Sequence, residues 1–286
     1  MKKIHTLLLL VILAACPGKK EDRKEELFSR DNLIAWCVVP FDARERTPEE
    51  RAAMLDELGL KKLAYDYRER HLPFFEEEIR VLAAHGIDLS AVWFWVKGGG
   101  EELLDSTNEF VLHVLEKTGT RTDLWVSFPE DYFAGNAEEE NLAMAAGAVR
   151  EVLQRAESIG CRVALYNHGG WFGEPGNLVR IVREAAPEKL KIVYNFHHAH
   201  ARIDSFHYDL EQMLPYLSAI NLNAMKKEGP KIIPLGQGDQ ELEMLRVILE
   251  SGYDGPLGIL GHTEGRDILP VLEGNLEGMQ QLKEKL

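Results

Sequence analysis

The chain has little basic charge, few cysteines and no long apolar run beyond its first residues. Thirty-three Lys and Arg stand against 47 Asp and Glu, a net charge of −14. No block of Lys and Arg forms a basic face, which excludes the usual electrostatic footprint of a nucleic-acid binder. Lys19 and Lys20 are followed at once by Glu21 and Asp22. The same acidity repels anionic membrane surfaces. The three cysteines, Cys16, Cys37 and Cys161, are too few and too dispersed for a disulfide framework. Cys37 and Cys161 read as small buried residues. No GxGxxG turn or Walker-type loop follows any strand. Gly98-Gly99-Gly100 lacks both the spacing and the Lys-Ser/Thr pair, and reads as a plain loop.

What is present begins at the N-terminus. Met1-Lys2-Lys3 is a charged start, and Leu7 to Leu13 is apolar but too short to span a bilayer. Leu13-Ala14-Ala15-Cys16 follows and resembles the lipobox of bacterial lipoproteins. That resemblance implies cleavage before Cys16, lipidation of Cys16 and a place in the cell envelope. The membrane would then be met only through the lipid. Residues 17–30 are charged and read as a solvated tether.

From residue 31 onward, strand-like and helix-like segments alternate. The apolar runs are Leu33–Pro40, Lys62–Asp66, Asp88–Trp95, Thr122–Ser127, Arg162–Asn167, Lys191–Asn195, Ala219–Asn223 and Leu257–Leu260. Their near-continuous apolar character is that of strands buried on both faces. Helices between them carry end signals. Thr47-Pro48-Glu49-Glu50 is a capping box with proline in the first turn, and the helix it starts ends at Gly59. Others open at Pro73, Asn136, Pro175 and Glu241. Eight such units over residues 31–286 predict one α/β domain, a (β/α)8 TIM barrel, with chemistry on the rim where strands end.

The strand ends are where polar residues gather. Six of ten histidines lie between 168 and 262: His168, His197, His198, His200, His207 and His262. His168, His198 and His262 fall at equivalent strand ends and form a candidate divalent-metal set, for Mn, Co, Zn or Fe. His168 or His198 is equally a candidate general base. Asn195, Asn221 and Asn223 end strands six and seven. An amide inside a strand is disfavoured unless a polar site uses it. Asp66 and Arg68 close strand two as substrate-binding candidates. Lys226 is a candidate for stabilising a developing oxyanion, and Trp171 for stacking on a sugar face. Trp36 and Trp125 read as core.

At these residues the chain resembles the xylose isomerase-like TIM barrel superfamily of sugar-phosphate isomerases and epimerases. Gly160 to His168 is similar to its fifth-strand pattern, and Tyr194 to His198 to its sixth-strand Asp-x-x-His. Ile233 to Asp239 and Gly252 to Leu257 are similar to its PLGxG and GYxGP tail. The resemblance implies a carbohydrate substrate, a metal and proton transfer between two glutamates. The chain departs from the pattern at the metal ligands. Those positions fall on Tyr166, Asn195, Asn221 and Leu260, with His198 kept and His262 two residues beyond Leu260. Two functions follow as expectations. One is a divergent isomerase- or epimerase-like enzyme, or a lyase on a keto-sugar, since all three begin with proton abstraction beside a carbonyl. The other is a sugar-binding lipoprotein with a degenerate metal site.

Overall fold

The structure is a computed structural model that describes residues 17–98 and 102–286. The lipobox-like segment with Cys16, and Gly99 and Gly100, lie outside the described residues. Eight parallel strands close into one barrel in sequence order. They are β1 (Leu33–Trp36), β2 (Lys62–Tyr65), β3 (Asp88–Trp95), β4 (Asp123–Ser127), β5 (Arg162–Tyr166), β6 (Lys191–Asn195), β7 (Leu217–Leu222) and β8 (Leu257–Leu260). Closure is made by β1 against β8, in register from Leu33↔Leu257 to Trp36↔Leu260. The expected (β/α)8 barrel is therefore the fold. Strand ends differ from expectation by a few residues. The largest difference is at β1, which stops at Trp36 because Cys37 turns the backbone to φ 55°.

Helices pack outside the barrel: α1 (Pro17–Leu27), α2 (Pro48–Glu57), α3 (Phe75–Ala84), α4 (Ser106–Thr118), α5 (Glu138–Ser158), α6 (Gly170–Gly173), α7 (Pro175–Ala185), α8 (Phe206–Met213), α9 (Glu241–Ser251) and α10 (Ile268–Lys285). The capping box at α2 is real: the Glu50 N–H donates to Thr47 Oγ1 at 3.3 Å and the Thr47 N–H to Glu50 Oε2 at 2.9 Å. Asp105 caps α4 in the same way, accepting from the N–H groups of Thr107 and Asn108 at 2.9 Å. No helix among the described residues is long and apolar enough to cross a membrane.

The segment expected as a tether starts as a helix instead. Its last residue, Leu27, and Phe28 beyond it are buried in the core. The Arg23 guanidinium donates to the Tyr253 carbonyl at 3.0 Å, and Asn32 Nδ2 to the Leu27 and Gly255 carbonyls at 2.9 and 3.0 Å. Two apolar anchors and a ladder of bonds to the barrel override the charged composition.

Strand alternation sends one set of side chains inward. Large aromatics fill this interior. Trp36 meets Trp125 edge-on at 4.9 Å, and Trp125 stacks on Tyr166 at 6.1 Å with planes 6° apart. This packed layer is the floor beneath the C-terminal rim.

Candidate active site at the barrel rim

Above that floor lies a cavity of about 120 Å³. It is lined by Trp36 at the end of β1, Cys37 and Phe41 after it, Asp66 and Arg68 after β2, Trp93 of β3, Tyr166 and His168 of the β5 end, His197 and His198 after β6, and His262 after β8. Six of the eight strand ends thus contribute. Chain segments far apart in sequence meet here because all strands run the same way.

Asp66 is 2% exposed, and its Oδ1 has no hydrogen-bond partner. Burial raises its pKa to about 7, against the opposing pull of the Arg68 guanidinium and the backbone N–H groups facing it from Val38 and Val39. The Cys37 thiol beside it is pushed well up by burial and by the Asp66 charge, so it is no ready thiolate. His168 Nδ1 is also buried without a partner. Trp36 Nε1 faces the Tyr166 hydroxyl without a well-formed hydrogen bond. Buried polar atoms are normally paired, so these orphans beside one cavity are the candidate ligand-facing groups.

Four imidazoles line the same space. His168 and His198 lie 4.6 Å apart, His198 and His197 4.6 Å, and His197 and His262 5.2 Å. Burial lowers all four pKa values: His197 to about 4 and His198 to about 2, with His168 and His262 lowered less. The charge of Glu130 pulls His168 back up, and Glu264, 3.6 Å from His262 Nε2, does the same there. The Arg68 guanidinium sits over Phe41 and Trp93, 5.5 and 5.6 Å from their ring centroids. It is the cation at the mouth of the cavity.

Of the residues expected from sequence, Asp66, Arg68, His168, His198 and His262 come together here. Others do not line the cavity. Asn195 is fully buried, its Nδ2 donating to the Tyr166 hydroxyl and its Oδ1 accepting the His197 N–H at 3.0 Å. It orients two lining residues from behind. Asn221 is fully buried with neither side-chain atom partnered, pressed toward Gly258, where a Cβ would come within 1.9 Å of Oδ1. Asn223 lines an adjoining cavity. Lys226 is exposed, with its stem folded over Gly229. Trp171 packs on Phe133 at 5.3 Å and donates Nε1 to Glu138. His197, Trp36, Trp93, Phe41 and Cys37 are lining residues that the sequence did not single out as such. For His197 a signal existed. Phe196–His198 form a 3-10 turn, so adjacent side chains need not alternate between faces.

The metal set does not assemble. Among the described residues no group of three or more His, Cys, Asp or Glu side chains is arranged to hold a metal ion, His168, His198 and His262 included. His262 stacks on Phe41 at 3.8 Å, on the far side of His197 from the His168–His198 pair. At the positions where the resemblance places donors, Tyr166 and Asn195 bond each other and Leu260 has no donor atom. These residues do not fit a divalent metal in the family's manner.

Residues 39–285 match the xylose isomerase-like TIM barrel family. The chain belongs to that family. Curated protein sequences give no match. Among solved structures, the chain is similar to 3-keto-D-glucoside 4-epimerase from E. coli, at 13% identity and TM-score 0.64, covering 89% of this chain and 99% of that one. It is similar to the IOLI protein, solved with a bound zinc atom, at 12% identity and TM-score 0.69, covering 89% and 98%. It is also similar to D-psicose 3-epimerase from Clostridium cellulolyticum H10, solved with D-tagatose, at 16% identity and TM-score 0.63, covering 88% and 98%. At such identities the likeness is one of fold.

Proposed function

We propose that this chain is a sugar isomerase- or epimerase-like enzyme that moves a proton beside a carbonyl without the family's metal. The observation that carries the reading is the set of partnerless buried atoms of Asp66 and His168 beside one small, aromatic-walled cavity. His168 is the base. Its pKa is lowered less than that of His198, whose conjugate acid at about 2 makes it a poor proton acceptor. His198 packs on His168 and holds it in place. Asp66, with a pKa near 7, keeps a large protonated fraction at neutral pH. In that form it donates a hydrogen bond to the substrate carbonyl oxygen.

The carbon beside the carbonyl loses its proton to the His168 imidazole. The carbonyl oxygen takes the Asp66 proton, leaving an enediol. Transfer of the His168 proton to the neighbouring carbon, with the hydroxyl on that carbon's partner giving its proton to the Asp66 carboxylate, yields the isomer and restores both side chains. A solvent proton added to the opposite face, with His168 losing its proton to solvent and the enediol hydroxyl returning its proton to Asp66, yields the epimer. Arg68 at the mouth suits a carboxylate or hydroxyl on the substrate. The lipobox-like N-terminus supports a bacterial envelope location, and with it an extracytoplasmic saccharide.

The test is hydrogen exchange at carbon. Aldoses, ketoses and keto-sugars incubated with the protein in D₂O are followed by proton NMR. Exchange beside the carbonyl is expected, lost by about 10²-fold or more in His168→Ala. It should also fall as pH rises above 7, where Asp66 ionises. A second reading, a sugar-binding protein, is favoured by one observation: Asp66 is the only carboxylate lining the cavity among the described residues. A binder retains sugar affinity with no exchange at any pH.

A further inference from the structure

Size sets the problem. The cavity beside His168, about 120 Å³, is smaller than the roughly 300 Å³ at which small-molecule sites begin. A sugar reacting at His168 must extend beyond it.

A second cavity of about 330 Å³ shares the His262 side chain as a wall. It lies between the ends of β7 and β8 and the face of α10. Its volume falls in the range of small-molecule sites, which run from about 300 to 1,000 Å³. Asn223, at the end of β7, is 2% exposed. Its Nδ2 donates to the carbonyls of Ala224 at 2.8 Å and Lys231 at 3.2 Å, while its Oδ1 is buried with no partner. Across the cavity the side chains of Gln237 and Arg266 make no hydrogen bond or ion pair within the described residues. Val271 and Gly274 of α10 supply an apolar wall. A buried acceptor, free donors at the edge and an apolar face are what a hydroxylated ring requires, and more than a purely apolar group would use.

We infer that this cavity is a subsite for the second ring of a disaccharide, whose first ring is placed at His168. The inference rests on the carbohydrate reading above and adds the size class of the substrate. Asn223 Oδ1 accepts a hydroxyl of the second ring. His262 lies at the glycosidic junction, between the two spaces it walls.

Gly274 gives a clean test, because a Cβ built there meets no atom within 4 Å. Gly274→Phe places a ring in the second cavity and replaces no residue of the first. Gly274→Ala is the control for folding and helix effects. Calorimetric titration of the three proteins uses glucose, galactose and glucuronate, free and as α- and β-linked disaccharides. The expected result is a disaccharide bound about tenfold or more tightly than its monosaccharide by the parent chain, an advantage of roughly 1.4 kcal/mol or more. Gly274→Ala keeps that advantage. Gly274→Phe loses it while monosaccharide affinity stays unchanged. Equal affinity for one and two rings, or an advantage that survives Gly274→Phe, overturns the subsite alone. Binding of no saccharide of either size overturns the carbohydrate reading, and the subsite with it.

Discussion

Two groups of buried charge and polarity in this molecule are built on opposite plans. In one, every charge is answered. Arg51 and Glu78 form a two-point pair, Nε to Oε1 at 2.9 Å and Nη2 to Oε2 at 3.0 Å, with Glu78 fully buried. Arg46 binds Asp42 through Nη1 at 2.8 Å and Asp267 through Nη2 at 2.7 Å, tying the loop after β1 to the start of α10. In the other, Asp66 and His168 keep atoms with no protein partner. Burial costs are similar in kind for both groups. The first offsets them within the chain and is structural. The second leaves them standing, which a fold tolerates where a ligand supplies the missing bonds.

The largest test of this contrast removes an answered charge. Glu78→Ala leaves the Arg51 guanidinium buried and alone. Stability measured by urea unfolding should fall by about 3–5 kcal/mol. A loss under 1 kcal/mol would mean that water reaches Arg51 and that the pair is not the anchor described. A smaller effect of opposite sign is expected from an unanswered group away from the cavity. Asn221→Leu replaces a fully buried amide with no partners by an apolar side chain of similar size. Unfolding should show a gain of about 1–3 kcal/mol. A loss would reveal a partner for Asn221, such as a bound water, and would move it to the structural group.

The fold was legible because its signals are local. Apolar runs, the Thr47 capping box and polar strand ends are properties of neighbouring residues, and the barrel follows from their repetition. The lining of the candidate site was legible where one side chain stands at the end of one strand, as with Asp66, His168, His198 and His262. It was not legible where position depends on distant contacts. Trp171 is held by Glu138, 33 residues earlier in the chain. Cys37 lines the cavity because its backbone leaves the strand region, which nothing in an apolar run announces. Lys226 follows a strand end but leaves it in a turn that points the side chain outward. A three-histidine metal centre needed angles that strand order alone does not fix. Helix α4 was missed although Asp105 and Asn108 carry its capping box. Helix α1 was hidden by charge, since among the described residues its buried apolar anchors are Leu27 at its end and Phe28 just beyond.

In the proposed reaction Asp66 serves as an acid left unpaired for the substrate, and its ionisation is the sharpest probe of that role. A carboxyl whose pKa is 3.8 in the unfolded chain and about 7 in the fold favours the folded state fully below pH 3.8. That contribution is lost as pH rises through 7, by about 4 kcal/mol in all. The measurement is urea unfolding of the parent chain and Asp66→Asn from pH 4 to pH 8.5. The parent is expected to lose about 4 kcal/mol relative to the variant across that range, while carbon exchange on the sugar disappears in the variant. Parallel stability profiles would show Asp66 ionised and paired throughout, and would rule out that role.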